Sequence, residues 1–113
     1  MLFRVEVSAG RATEASAEFH ARVLPQVLAE LAKGPAHMTL VFGRADHTHR
    51  GWRLAAVEGL AREYAPLRVN AVVSDDDRAI AGAVRYLERA EGVTGHLLPL
   101  DGNGAGEVVS VLE

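Results

Sequence analysis

The stretch that decides the fold is residues 52–73, WRLAAVEGLAREYAPLRVNAVV. Large and apolar side chains recur there at spacings of four, which predicts an amphipathic helix over residues 52–65. Pro66 ends that helix, since proline cannot continue the hydrogen-bond ladder. Residues 67–73 are mainly apolar, and a short apolar run of this kind is typical of a strand covered on both faces. The predicted helix face consists of Trp52, Ala56, Leu60 and Tyr64.

The same alternation of strand and helix continues on both sides of this stretch. The order β-α-β-α-β-α-β, joined by right-handed crossovers, predicts an α/β fold in which an open, mainly parallel, four-stranded sheet has helices on both faces. Pro25 falls inside one predicted helix, where it should kink the helix or remove a hydrogen bond. The other predicted strands cover residues 2–8, 38–42 and 96–100, and the other predicted helices lie within residues 13–33 and 74–92.

The length and composition fit one folded domain. The 113 residues, 49% of them hydrophobic, match the size and apolar content of a single globular domain, residues 1–113. Within it, residues 103–113 are expected to form an extended arm or a short terminal strand. No Cys is present, which excludes disulfides, thiol catalysis and Cys-ligated metals.

The charge and hydropathy patterns exclude two classes of partner. The net charge is −3 and the two signs are interleaved, so no basic surface for nucleic acid is expected. No segment reaches the roughly 18 apolar residues of a membrane span, and the first residues lack the apolar core of a signal sequence. The sequence therefore predicts a cytoplasmic protein that binds neither nucleic acid nor membrane.

Four segments, taken in order, resemble the short-chain dehydrogenases/reductases, Rossmann-type oxidoreductases that use NAD or NADP. The longest two resemble the helix and strand that follow the catalytic pair of that family, and its last helix, "TG" turn and "DG" ending. The resemblance implies a fold like half of a Rossmann domain, and an annotation transferred through it would read "oxidoreductase". The segments are VSAG at 7–10, VLPQVL at 23–28, LAAVEGLAREYAPLRVNAV at 54–72 and AIAGAVRYLERAEGVTGHLLPLDG at 79–102.

The cofactor and catalytic motifs of that family have no counterpart here. The family begins with a strand and a Gly-rich turn that receives the pyrophosphate, whereas this chain resembles the family only from its fourth strand onward. The Tyr-x-x-x-Lys pair falls on Arg50 and Leu54, and the catalytic Ser falls on Gly43. An arginine cannot act as a general acid near neutral pH, and a leucine cannot lower the pKa of a phenol. We therefore expect no catalytic residue and no cofactor, with NAD(P) or a divalent metal as the alternative.

Polar residues follow the predicted strands, where ligands of open α/β sheets bind. Asp46, His47 and His49 form a His-x-His pattern with a neighbouring acid, which could hold a divalent metal. The histidines could equally be polar loop residues, and the acids from Asp75 could simply begin a helix with Ser74 or Asp75 as its cap. The other candidate pocket residues are Ser8, Ser74, Asp75 and Asp101.

Two hypotheses for function follow. The first is a truncated, non-catalytic protein that oligomerises or binds a partner, either as a homodimer or larger assembly or with a full-length short-chain dehydrogenase. The predicted first strand would be an open sheet edge, and the helices at 13–33 and 52–65 would pair as they do in the family. The second is an oxidoreductase-related, metal-binding or ligand-binding protein whose pocket forms across a homo-oligomer. The side chains expected on the outer helix faces are Phe19, Val23, Leu54, Val57 and Tyr64.

Overall fold

The computed structural model of the chain describes residues 1–8 and 10–101. Within this part, four parallel strands lie side by side in the order β1-β2-β3-β4, and the helices lie on both faces, which confirms the predicted α/β class. The arm predicted at residues 103–113 lies outside the described residues. The elements are β1 (Leu2–Arg4), α1 (Ala12–Glu18), α2 (Leu24–Leu31), β2 (His37–Phe42), α3 (Arg50–Glu63), β3 (Arg68–Val73), α4 (Asp77–Arg89) and β4 (Leu97–Pro99).

Each face of the sheet has its own hydrophobic core. Successive strand residues point to opposite faces, so Leu40 of β2 faces one core and Val41 the other. The first core is covered by residues Phe19–Val23, α2 and α3, and the second by α4. No helix among the described residues is long and apolar enough to cross a membrane.

The α1 and α2 helices are joined by a π-helical turn at Phe19–Val23. The buried side chains of this segment are spaced by four residues, and in an α-helix of 3.6 residues per turn such a row drifts by about 40° per step. The wider π turn reverses part of that drift, so the row stays directed at the sheet. Its members are Ala15, Phe19, Val23, Val27 and Leu31.

Pro25 is the second residue of α2, two residues after this turn ends. The backbone N–H of Leu24 bonds to the carbonyl of Phe19, five residues earlier. The missing N–H of Pro25 therefore falls next to a turn in which the regular ladder is already interrupted. The interruption of the helical hydrogen bonds near Pro25 is therefore this π turn.

The buried face of α3 differs from the predicted one. The helix begins at Arg50, and of the four residues predicted to form its face only Leu60 is buried. The outer faces expected for pairing with another subunit were also wrong in part, because Phe19, Val23 and Val57 are all buried in the chain's own core. The buried residues of α3 are Arg53, Val57, Leu60 and Ala61.

Two polar residues of β3 tie the sheet to its surroundings. The Asn70 side chain donates to the Val93 carbonyl at 2.9 Å and accepts from the His96 N–H at 3.1 Å, so it fixes the loop that leads into β4. These contacts give Asn70 a structural role. Arg68 donates to three carbonyls at the end of α4, where the helix dipole favours a cation. Those carbonyls belong to Leu87, Glu88 and Ala90.

Candidate functional site

An open cleft of 540 Å³ lies at the carboxyl ends of β1 and β2 and beside the residues that follow β3. Its position is the one where open parallel sheets bind ligands. A smaller, mainly apolar cavity of 160 Å³ adjoins it and is lined in part by Val73, Leu97 and Pro99. Four residues line both spaces and form the boundary between them. They are Ala45, Asp46, His49 and Arg53.

Arg53 is the most unusual residue of this boundary. It projects from the buried face of α3, and only 6% of its surface is exposed. Its Nη1 donates to the Gly43 carbonyl at 2.9 Å, while its buried Nε has no hydrogen-bond partner among the described residues. Burial lowers the pKa of the guanidinium, and the negative charge of Asp75 acts in the opposite direction. An arginine nevertheless stays protonated in proteins, so the cleft contains a buried cation.

Two aromatic rings hold the Arg53 side chain in place. Its Cζ lies 4.7 Å from the centre of the Phe42 ring and 5.8 Å from that of Trp52, distances at which a cation is attracted to a ring face. These contacts fix the direction of the guanidinium without neutralising its charge. Sequence reasoning missed this residue, although its spacing of four from Val57 on a helix was a usable signal.

Of the three positions that the resemblance assigns to catalysis, Gly43 lines the cleft, Arg50 lines the adjoining cavity and Leu54 lines neither. Gly43 follows β2, and a Cβ atom added to it would lie 3.1 Å from Asp75 Oδ1, so a serine there would require Asp75 to move. Arg50 is exposed at the start of α3, and Leu54 is half-buried one turn later. None of these three side chains can donate and recover a proton near neutral pH.

The predicted metal ligands are separated by their own contacts. His49 is buried; its Nδ1 accepts from the Trp52 indole N–H at 3.3 Å, which leaves Nε2 to donate to the Gly10 carbonyl at 3.1 Å. His47 is exposed. Hydrogen bonds from the Thr48 side chain and backbone lower the pKa of Asp46. No group of three or more potential ligands occurs among the described residues, and the metal hypothesis stays a prediction.

Two of the other four predicted pocket residues reach the cleft. Ser74 and Asp75 line it, whereas Ser8 and Asp101 do not. Ser8 instead bonds to the Glu18 carboxylate through its N–H and its hydroxyl.

The expected helix cap after β3 was wrong by one or two positions. Asp76 caps α4, because its carboxylate accepts from the N–H groups of Arg78 and Ala79. Ser74 supports this cap, since its hydroxyl accepts from the Asp76 N–H at 2.9 Å. Asp75 is thereby left free of the cap and accepts from the Arg44 N–H at 3.3 Å.

The fold defines a class: a four-stranded, all-parallel α/β sheet consistent with half of a Rossmann fold. A family model described as "Short chain dehydrogenase-like protein" matches residues 3–100. The chain belongs to this short-chain dehydrogenase-like family. No curated protein and no solved structure matches it.

Proposed function

We propose that this protein is a non-catalytic member of its family that acts by associating with a second copy of the chain. The absence of catalysis is supported by Gly43, Arg50 and Leu54, which occupy the positions of the family's serine, tyrosine and lysine. The observation that carries the association is the outer side of β1, which has no neighbouring strand among the described residues.

The hydrogen bonds of β1 identify which groups are free to pair. The Met1 carbonyl accepts from Thr39, and the Val5 N–H donates to Val41, so the odd-numbered residues of this segment bond to β2. Since backbone groups alternate sides along a strand, the N–H and C=O groups of Leu2 and Arg4 point outward. An edge of this kind is a template for another strand.

A twofold axis beside Phe3 would pair the two edges. Antiparallel pairing about this axis sets Leu2 of each copy opposite Arg4 of the other, and two such hydrogen-bonded pairs would join the two sheets into one. Leu2 is also the one large hydrophobic side chain exposed among the described residues, at 39%. Each net hydrogen bond contributes only about 1 kcal/mol and β1 has three residues, so we expect a weak, concentration-dependent dimer.

Sedimentation velocity over a range of concentrations tests the proposal. Arg4→Pro removes one outward N–H and leaves the bonds to β2 intact, because proline is tolerated where the N–H faces away from the sheet. Arg4→Ala is the matched control, since it also removes the ion pair between Arg4 and Asp77 but keeps the N–H. We expect the wild type and Arg4→Ala to dimerise and Arg4→Pro to stay monomeric with unchanged circular dichroism.

Either a monomeric wild type at every concentration or a dimeric Arg4→Pro variant would contradict association through β1. On the same samples, NAD⁺ and NADP⁺ should leave the midpoint of thermal unfolding unchanged. A ligand at a hundred times its Kd adds about 2.7 kcal/mol of stability, so an increase in the midpoint would show that a dinucleotide site exists and would contradict the non-catalytic assignment.

A further inference from the structure

The cleft contains a buried positive charge that the described residues do not neutralise. Among the described residues, Arg53 has one hydrogen bond, and no carboxylate lies within salt-bridge distance of it. Removing a charge from water costs several kcal/mol unless a partner compensates it. A buried guanidinium with unused donors therefore indicates a site for an anion.

The acids that line the cleft are engaged elsewhere or exposed to solvent. Asp46 accepts from Thr48, and Asp75 accepts from the backbone of Arg44. Glu6 is exposed at the rim. The negative charge of Asp75 raises the pKa of Arg53, although the two side chains form no ion pair. Within residues 1–8 and 10–101, no carboxylate forms an ion pair with Arg53 at the boundary between the cleft and the cavity.

The surroundings of Arg53 favour one shape of ligand. On one side lies the polar cleft, and on the other lies the 160 Å³ cavity with the apolar side chains of Val73, Leu97 and Pro99. The guanidinium stands between them, held against Phe42 and Trp52. A planar fork of donors matches a carboxylate through two parallel hydrogen bonds.

We propose that Arg53 binds the carboxylate of a small organic acid whose short apolar chain fills the adjoining cavity. The bound acid would neutralise the buried charge of a guanidinium that makes one hydrogen bond among the described residues. The inference is independent of the dimer, because neither Arg53 nor the adjoining cavity involves the outer edge of β1.

Trp52 offers a specific signal for the test. It is the single tryptophan of the chain, its indole N–H bonds to His49, and its ring lies beside Arg53. We would follow its indole N–H resonance while titrating the full-length protein with butyrate and hexanoate, with butyramide and inorganic phosphate in parallel. We expect a saturable shift with the two carboxylates, tighter for hexanoate, and none with the amide or with phosphate.

Three variants separate Arg53 from the general charge of the cleft. Arg53→Gln should lower the affinity for hexanoate at least tenfold, and Arg53→Lys should lower it less, since it keeps the charge but loses the fork. Arg44→Gln is the matched control, because Arg44 lines the same cleft but is exposed; its affinity should stay within twofold of the wild type.

Several outcomes would overturn the proposal. One is a wild type that gives no saturable shift with either carboxylate. Another is an Arg53→Gln variant that binds as the wild type does, or an Arg44→Gln variant that loses as much affinity as Arg53→Gln. An equal response to butyramide would show that the charge is not recognised, and an equal response to phosphate would show an unspecific anion effect.

Discussion

Two arginines of this protein are shielded by the fold, and their partners differ. Arg68 donates to three main-chain carbonyls at the end of α4, and these bonds tie the helix end to β3. Arg53 donates to one carbonyl, lies against two aromatic rings and keeps an unpartnered Nε. The difference teaches that burial alone does not indicate a binding residue. The better indicator is the number of side-chain hydrogen-bond donors that have no partner.

The same contrast recurs inside the sheet between two residues that lie side by side. Thr39 of β2 and Asn70 of β3 are paired in register, and both are buried. Asn70 satisfies two backbone groups of the loop before β4, whereas the Thr39 hydroxyl has no hydrogen-bond partner among the described residues. Three predictions follow from the comparison, from the largest effect to the smallest.

Replacing Asn70 should have the largest effect on stability. Asn70→Leu fills a similar space but leaves the Val93 carbonyl and the His96 N–H without their partners, at a cost of about 3 kcal/mol. Thr39→Val is the matched change next to it; it removes a hydroxyl that has no hydrogen-bond partner within the described part of the chain, and it should raise the free energy of unfolding by up to about 1 kcal/mol. Urea unfolding measures both. A Thr39→Val variant as destabilised as Asn70→Leu would break the comparison.

The two arginines should differ when each is replaced by methionine. Arg68→Met removes three hydrogen bonds to a helix end and should cost about 2 kcal/mol of unfolding free energy. Arg53→Met removes one bond but also an uncompensated buried charge, so the free energy of unfolding should stay unchanged or rise by about 1 kcal/mol or more. Chemical denaturation of the pair, without added anion, gives the result. Equal destabilisation would mean that Arg53 is as structural as Arg68.

The smallest effect concerns the pH dependence of stability at the amino end of the sheet. The pKa of His37 lies below its ordinary value of about 6.5, mainly because of burial and also through the charges of the Met1 ammonium and Arg68; Glu88, 3.8 Å away, acts in the opposite direction. The unfolded chain therefore binds the proton more readily. This contribution to stability is complete above pH 6.5 and is lost as the pH falls through the folded pKa.

Comparison of urea midpoints at pH 7.5 and pH 5 checks this sign. The wild type should lose more stability on acidification than His37→Gln, in which the titrating ring is absent. If the ion pair with Glu88 dominated instead, the folded pKa would be raised and the variant would lose more than the wild type.

Much of the fold could be predicted from the sequence because it depends on local patterns. The apolar runs located β2 and β3 to within one residue. The first strand is shorter than the predicted residues 2–8, although Val5 still bonds to β2. The face of α3 was shifted because Trp52 was taken as a core residue, whereas the helix turns Arg53 inward and leaves Trp52 half-buried.

The site was only partly predictable. Topology was enough to bring Asp46, His49, Ser74 and Asp75 to one edge, because the carboxyl ends of parallel strands meet there. The hydrogen-bond partners of these side chains were not predictable, since they depend on tertiary contacts such as the Trp52–His49 hydrogen bond. Arg53 was missed because arginine normally lies at the surface, and only the packed rings reveal why it does not.

The π-helical turn at Phe19–Val23 also has a meaning in terms of chain length. A plain α-helix would align Ala15 and Leu31 with one residue fewer between them, since spacings of four, three, four and four keep all the buried side chains on one face. The turn therefore has the form of a single-residue insertion. The π turn accommodates the extra residue within the helix, so the buried side chains still face the sheet. We expect the domain to tolerate loss of the exposed Ala21, because its deletion would give the spacings of four, three, four and four.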